Sequence, residues 1–324
     1  MSTEVRENIM INQKLILARG IGEKAWQALL EEVYTTPKPG LVDLYSCGAH
    51  RDMNIVMFEK SARTLHPYFI QMAALGYDMD GTPEELFQKI RKIGLDAEQA
   101  MYRTTEGINT HKGLIFTLGI FCSAAGRCIR EEGKITEKSL FDMEQRMVVR
   151  VLDRELNLLK KKGPESHGEM NLKRYGTTGI RGEAMNGYPS IRNIALPILR
   201  QGITEKKEWN LVKLQTLFHL MSEVEDSNII SRKNMQTLCQ VHAEAKLFLK
   251  QGGAYIKGAT ERLQIMDADY IRRNISAGGC ADLLAASIFV EYLLDTGNVR
   301  AYQKYQEKRY DNLGRTTILG KRIR

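Results

Sequence analysis

Apolar residues recur at three- and four-residue intervals along most of this chain, and runs that alternate apolar with polar residues between turns are scarce. A period near 3.6 gathers side chains on one stripe of a helix, whereas a strand needs a period of two. The chain therefore reads as all-α. Its seven prolines are spread out, and no serine-rich or proline-rich stretch offers an interior linker. One continuous helical body over residues 1–310, followed by a basic tail at 311–324, is expected. A composition of 43% hydrophobic and 27% charged residues supports a packed core and excludes wholesale disorder.

Caps and breakers set the expected helix boundaries. A first helix is predicted over 12–34, because Thr35, Thr36, Pro37 and Pro39 stop it and keep the next residues extended, leaving 35–51 as a long loop. Asp52 reads as the N-cap of a second helix that carries Phe58, Ala62, Leu65 and Phe69 on one face and is kinked by Pro67. Thr82, Pro83 and Glu85 form a capping box with proline at the first helical position, which predicts a helix over 83–105 with Gly94 as a candidate break. Residues 112–130 are apolar on nearly every face and rich in Gly, Ala and Ser, as a central, closely packed helix requires. A long amphipathic pattern over 136–162 stops at Gly163 and Pro164. Helices near 205–225, 232–251, 255–264, 267–275 and 282–305 complete the series.

With 47 basic and 39 acidic side chains the net charge is +8, which favours anionic partners such as nucleotides or coenzyme phosphates. Some of the excess, at Lys160 to Lys162 and at Lys321, Arg322 and Arg324, reads as solvated ends. A nucleic-acid-binding module is disfavoured, because the helices carry no one-sided Lys/Arg stripe and aromatics make up only 7%. No stretch reaches the roughly 18 uncharged apolar residues of a membrane span, and Glu4, Arg6 and Glu7 stand where a signal peptide would be apolar. The five cysteines are scattered and never spaced as a metal knuckle, which fits reduced thiols and a cytoplasmic location. His66, His219 and His242 lie on helical faces and His167 in a polar loop, with no metal-binding pair among them.

Five connections carry more polar chemistry than folding needs, and connections are where binding and catalysis concentrate. Residues 35–54 hold Lys38, Asp43, His50, Arg51 and Asp52 on a proline-stiffened loop. Residues 106–113 place Asn109, Thr110, His111 and Lys112 at a helix start, where a phosphate can be held and where Asn109 or Thr110 can equally cap. Residues 174–190 combine glycines that let backbone approach a ligand with Arg181, suited to a phosphate, and Glu183, suited to base or metal work. The spacing is neither a Walker loop nor a dinucleotide fingerprint. Residues 223–232 offer Asp226, Asn228 and Arg232, a carboxylate, an amide and a cation. Residues 276–285 place Gly278, Gly279, Cys280 and Asp282 at another helix start, where Asp282 also suits the helix dipole.

The wording of these connections is distinctive. TPKPGLVD with GAHRDM, then GINTHKG, YGTTGIRGEA, DSN and GGCADLLA, in this order between about 25 and 295, resemble the triphosphoribosyl-dephospho-CoA synthase family of bacteria. Ser227, Cys280 and Leu44 stand where that family usually has threonine, serine and a polar residue. The resemblance implies an all-α enzyme that transfers the triphosphoribosyl group of ATP to the ribose 2′-hydroxyl of 3′-dephospho-CoA and releases adenine. It implies ATP as its Mg2+ complex, no organic cofactor, and a product passed to an acyl carrier protein holo-transferase of citrate lyase or malonate decarboxylase.

Such a transfer passes through a sugar-centred cation and needs an acid for adenine and a base for the hydroxyl. By chemical type, His50, Asp43, Asp52 and Glu183 are the candidates for that work, without a division of roles among them. Lys38, Arg51, Asn109, His111, Lys112, Arg181 and Arg232 are candidates for the triphosphate. Asp226, Asn228 and Asp282 are candidates for Mg2+. The alternative enzyme reading is an all-α nucleotide hydrolase using water.

Overall fold

Residues 3–159, 170 and 174–294 are described by the computed structural model, and no strand occurs among them. Side chains that replace missing backbone partners set the helix starts. The first helix, α1 (Thr3–Val33), begins earlier than its apolar pattern predicts and stops where expected, with the Thr35 hydroxyl donating to the Glu31 carbonyl. α2 (Ile55–Asp78) is capped by Asn54, whose Oδ1 accepts the Met57 N–H at 3.0 Å. Asp52, the expected cap, lies two residues upstream in an exposed turn. The helix continues through Pro67 and buries Ala62, Leu65 and Phe69. α3 (Pro83–Thr104) starts at the predicted capping box, with both reciprocal bonds between Thr82 and Glu85 present, and runs unbroken past Gly94.

The apolar segment forms α4 (Lys112–Glu132), a helix long and apolar enough to cross a membrane but packed against α2, α3 and the later helices. Its approach to α2 is set by glycine. A Cβ on Gly76 would lie 2.1 Å from the Ser123 carbonyl oxygen, and one on Gly126 would lie 2.2 Å from that of Ala73. Only hydrogen at both positions permits the contact.

The next helix is α5 (Glu137–Leu159), and its predicted stop at 163–164 lies outside the described residues, as does the basic tail at 311–324. The glycine-rich segment is not the continuous loop its composition predicts: α6 (Gly179–Met185) occupies its middle. A π-helical turn, Ser190–Ala195, then leads into α7 (Leu196–Thr204), both unpredicted. α8 (Trp209–Glu223) matches its prediction. The helix expected over 232–251 is α10 (Met235–Lys250), capped by Asn234, and a short helix, α9 (Ser227–Arg232), capped by Asp226, occupies the end of the connection before it. Those expected over 255–264 and 267–275 are one, α11 (Ala259–Arg273), ended by Asn274 in the left-handed region. α12 (Gly278–Leu294) starts four residues before the predicted 282 and is buried along nearly its whole length. α12 packs on α1, α4 and α8, and the starts of α4 and α12 adjoin at Gly113 and Asp282.

Candidate functional site

The loop after α1 is a rigid platform. Asp43 is buried, and its carboxylate accepts four bonds of 2.8–2.9 Å, from the Thr36 hydroxyl and from the Lys38, Tyr45 and Ser46 amides. Asn210 on α8 accepts the Thr36 N–H and donates to its carbonyl, while Asp267 on α11 accepts from the Gly40 amide and the Ser46 hydroxyl. Asp43 therefore organises the platform, and its oxygens are committed to it. Expected for proton transfer, it holds the loop in shape.

Behind the loop, the end of α1 carries two buried ion pairs. Glu32 receives the ammonium of Lys38, which is wholly buried and also donates to the Glu32 carbonyl at 2.8 Å. Glu31 receives Lys213 at 2.6 Å and the Trp209 indole N–H at 2.9 Å. Lys38, expected on the triphosphate, is thus neutralised by Glu32 inside the protein. Burial raises the Glu32 pKa despite the lysine beside it.

His111 lies in the second segment, just before α4. It is buried, its Nδ1 lies 2.7 Å from the Ser61 hydroxyl, and the Thr110 hydroxyl donates to Ser61 at 2.7 Å. Burial and then the charge of Lys38 push the imidazole pKa down to about 3, so the ring is neutral at pH 7. Asn109 is exposed and accepts the Lys112 N–H, the first amide of α4, at 3.0 Å, while the N-cap position falls to His111, which makes no side-chain cap bond. Lys112 is exposed and pairs with Glu98 at 3.0 Å.

The fourth and fifth segments are bonded together. Asp226 accepts the Asn228 and Ile229 amides as the cap of α9, and its other oxygen accepts the Cys280 amide at 2.8 Å. A Cβ on Gly279 would lie 3.1 Å from that carboxyl, and one on Gly278 would lie 3.0 Å from the Asn228 amide nitrogen. Asp226, expected on a metal, is therefore a clamp between α9 and α12.

Asp282 is different. Because α12 starts at Gly278, Asp282 lies beyond the first turn and has no dipole role there. Its side chain is half-buried and accepts no hydrogen bond among the described residues. It fits because position 113 is glycine: a Cβ there would lie 2.2 Å from Asp282 Oδ2. Burial, with Glu32 and Asp226 adding like charge, raises its pKa well above the usual carboxylate range.

His50 lies at the other end of the platform. Its Nε2 is 3.0 Å from the Ser276 hydroxyl and 3.1 Å from Arg232, which also donates to the Ala49 carbonyl and to Asn274. Burial and then Arg232 lower the His50 pKa. Arg51 and Asp52 are exposed beside it. On α6, Glu183 accepts the Ser190 hydroxyl at 2.6 Å and the Ser190 amide at 3.2 Å, and burial raises its pKa. Arg181 is half-buried on the same short helix. A Cβ on Gly179, at the start of α6, would lie 3.7 Å from the Ser227 side chain, which brings the third segment beside the fourth.

The five segments are thus neighbours: 35–54 touches 276 and 232, 113 adjoins 282, 226 touches 279 and 280, and 179 lies beside 227. Reasoning from sequence missed Glu32, Ser61, Asn210, Asp267 and Ser276. All but Ser276 lie on helices, where nothing in the local pattern separates them from ordinary polar positions.

The family model described as ATP:dephospho-CoA triphosphoribosyl transferase matches residues 18–301. The chain is 37% identical over 279 residues to the 2-(5''-triphosphoribosyl)-3'-dephosphocoenzyme-A synthase of Escherichia fergusonii, covering 86% of this chain and 92% of that protein. It is 39% identical over 267 residues to the synthase of the same name from Klebsiella pneumoniae, covering 82% and 87%. It is 37% identical over 286 residues to a probable synthase from Vibrio cholerae, covering 88% and 91%. No solved structure matches it.

Proposed function

The chain belongs to the ATP:dephospho-CoA triphosphoribosyl transferase family, and we propose that the junction of its five polar segments is the site where ATP meets 3′-dephospho-CoA. The observation that carries this assignment is the meeting of α4 and α12 at Gly113 and Asp282, beside the clamp formed by Asp226. In the reaction the bond between adenine and the anomeric carbon of the ATP ribose breaks. The ribose 2′-oxygen of dephospho-CoA forms the new bond, its proton passes to a base, and adenine leaves with a proton.

Positive charge develops on the sugar as adenine departs. The open carboxyl of Asp282, whose ionised form is disfavoured by burial and by the like charges of Glu32 and Asp226, is the first acid suited to giving departing adenine its proton. Glu183, held by Ser190 and raised in pKa, is the second acid suited to moving a proton. Arg51, Lys112 and Arg181 are the cations for the triphosphate, with Lys112 exchanging Glu98 for phosphate. Arg232 and His50 brace one another at the edge of the platform.

Among the described residues no group of three His, Cys, Asp or Glu side chains is placed to hold a metal ion. A Mg2+ that arrives with ATP keeps phosphate oxygens and waters and needs only one or two protein carboxylates. Asp282 can serve it, and Asn228 lies exposed nearby; Mg2+ then belongs to the substrate. The product would be consumed by a holo-transferase that loads an acyl carrier protein of citrate lyase or malonate decarboxylase. Two nucleotide substrates and five free cysteines agree with a cytoplasmic setting.

Mass spectrometry of a reaction with ATP, Mg2+ and dephospho-CoA tests this reading. Free adenine and a coenzyme enlarged by one triphosphoribosyl group, in equal amounts, are expected. Rapid release of phosphate or of free ribose triphosphate from ATP alone would identify a hydrolase instead.

A further inference from the structure

The Thr110, Ser61 and His111 side chains form a directed hydrogen-bond chain that the proposed reaction leaves without a role. All three residues are at least nine-tenths buried, at 9%, 0% and 2% exposure, and they come from two separate elements, α2 and the turn before α4. Thr110 donates its hydroxyl proton to Ser61 Oγ at 2.7 Å. The single hydroxyl proton of Ser61 then has one acceptor among the described residues, His111 Nδ1 at 2.7 Å, and donating to it leaves neither hydroxyl of the chain with an unused proton. An imidazole that accepts at Nδ1 carries its proton on Nε2. Nε2 has no hydrogen-bond partner among the described residues. Phe58 meets the ring edge-on at 5.0 Å, so its plane is fixed as well.

We propose that Ser61 is a positioning residue, which together with Thr110 locks His111 as the neutral Nε2–H tautomer and so presents a single N–H donor to the nucleotide in the site. The inference rests on the transferase reading for its ligand. A neutral donor suits a reaction in which a triphosphate must be held but not split: it orients an oxygen of the triphosphate, or an acceptor nitrogen of adenine, without adding a cation that would favour attack at phosphorus. The buried Lys38, already paired with Glu32, is the nearby charge that opposes protonation of the ring.

The test has one spectroscopic and one kinetic arm, both on the full chain. In protein labelled with 15N-histidine, His111 should show an unprotonated Nδ1 and a protonated Nε2 at pH 7. In Ser61→Ala that signature should be lost to a mixture of tautomers. The same variant should lose about 10- to 100-fold in kcat/KM for ATP, as when the partner that orients a functional histidine is removed, while KM for dephospho-CoA stays within about twofold. Ser61→Thr, which restores a hydroxyl, should recover the tautomer signature and most of the activity. A protonated Nδ1 in the unaltered protein would overturn the proposal, as would a Ser61→Ala variant with full activity. Because the tautomer is read without turnover, failure of the transferase reading would appear separately, as absence of product from the unaltered protein.

Discussion

Replacing Asp282 with asparagine should lower turnover by about 10²- to 10⁴-fold, the range over which a positioned acid or base acts, and should raise the melting temperature. The two effects have one cause. The carboxyl stands half-buried, accepts no hydrogen bond among the described residues, and bears the like charges of Glu32 and Asp226. Each of these disfavours its ionised form, so the folded state carries a penalty that the unfolded chain does not. Asparagine keeps the shape in the gap beside Gly113 and removes the charge. A residue that costs stability and serves catalysis is the pattern expected of an active-site group. Steady-state adenine release and calorimetry on the purified variant check both halves. An active variant, or an inactive one that melts earlier than its parent, would return Asp282 to a structural role.

Lys38→Met should be the most destabilising single change at the site, by about 3–5 kcal/mol, because it leaves Glu32 unpaired inside the protein. Its cause is testable by adding Glu32→Met. With both charges gone the double variant should regain most of the loss, since well-packed apolar residues commonly replace a buried ion pair at little cost. Chemical denaturation of the two variants measures this directly. If Lys38 instead met phosphate, the single variant would unfold normally and fail only in ATP affinity.

Local signals are legible in the sequence and long-range ones are not. The capping box at Thr82 and Glu85 lies within four residues, so its geometry is set by the sequence alone. The buried character of α4 is equally plain from its composition. The glycines at 176, 179 and 187 have positive φ, and they stand before, at the start of and after α6. Gly182 lies inside α6, where a Cβ would stand 1.7 Å from the Thr178 hydroxyl, and composition alone cannot tell the two uses apart. Likewise an aspartate looks the same whether it will cap or catalyse. Asp43 and Asp226 are acceptors of backbone amides because each sits where several N–H groups converge, a property of the fold. Glu144 lies on the amphipathic α5 yet is wholly buried, and neither of its oxygens has a hydrogen-bond partner among the described residues. That two distant stretches of chain, ending at Gly113 and Asp282, complete one another is visible only in three dimensions.

Five stretches, remote in sequence, are proposed to bind the substrates together. Amide hydrogen exchange with and without Mg-ATP and dephospho-CoA reads all five at once. Slowed exchange is expected at once in 38–50, 109–114, 179–185, 226–232 and 276–284, with little change in α3 and α5. Protection confined to one or two of these stretches, or centred on α3 and α5, would contradict a shared site.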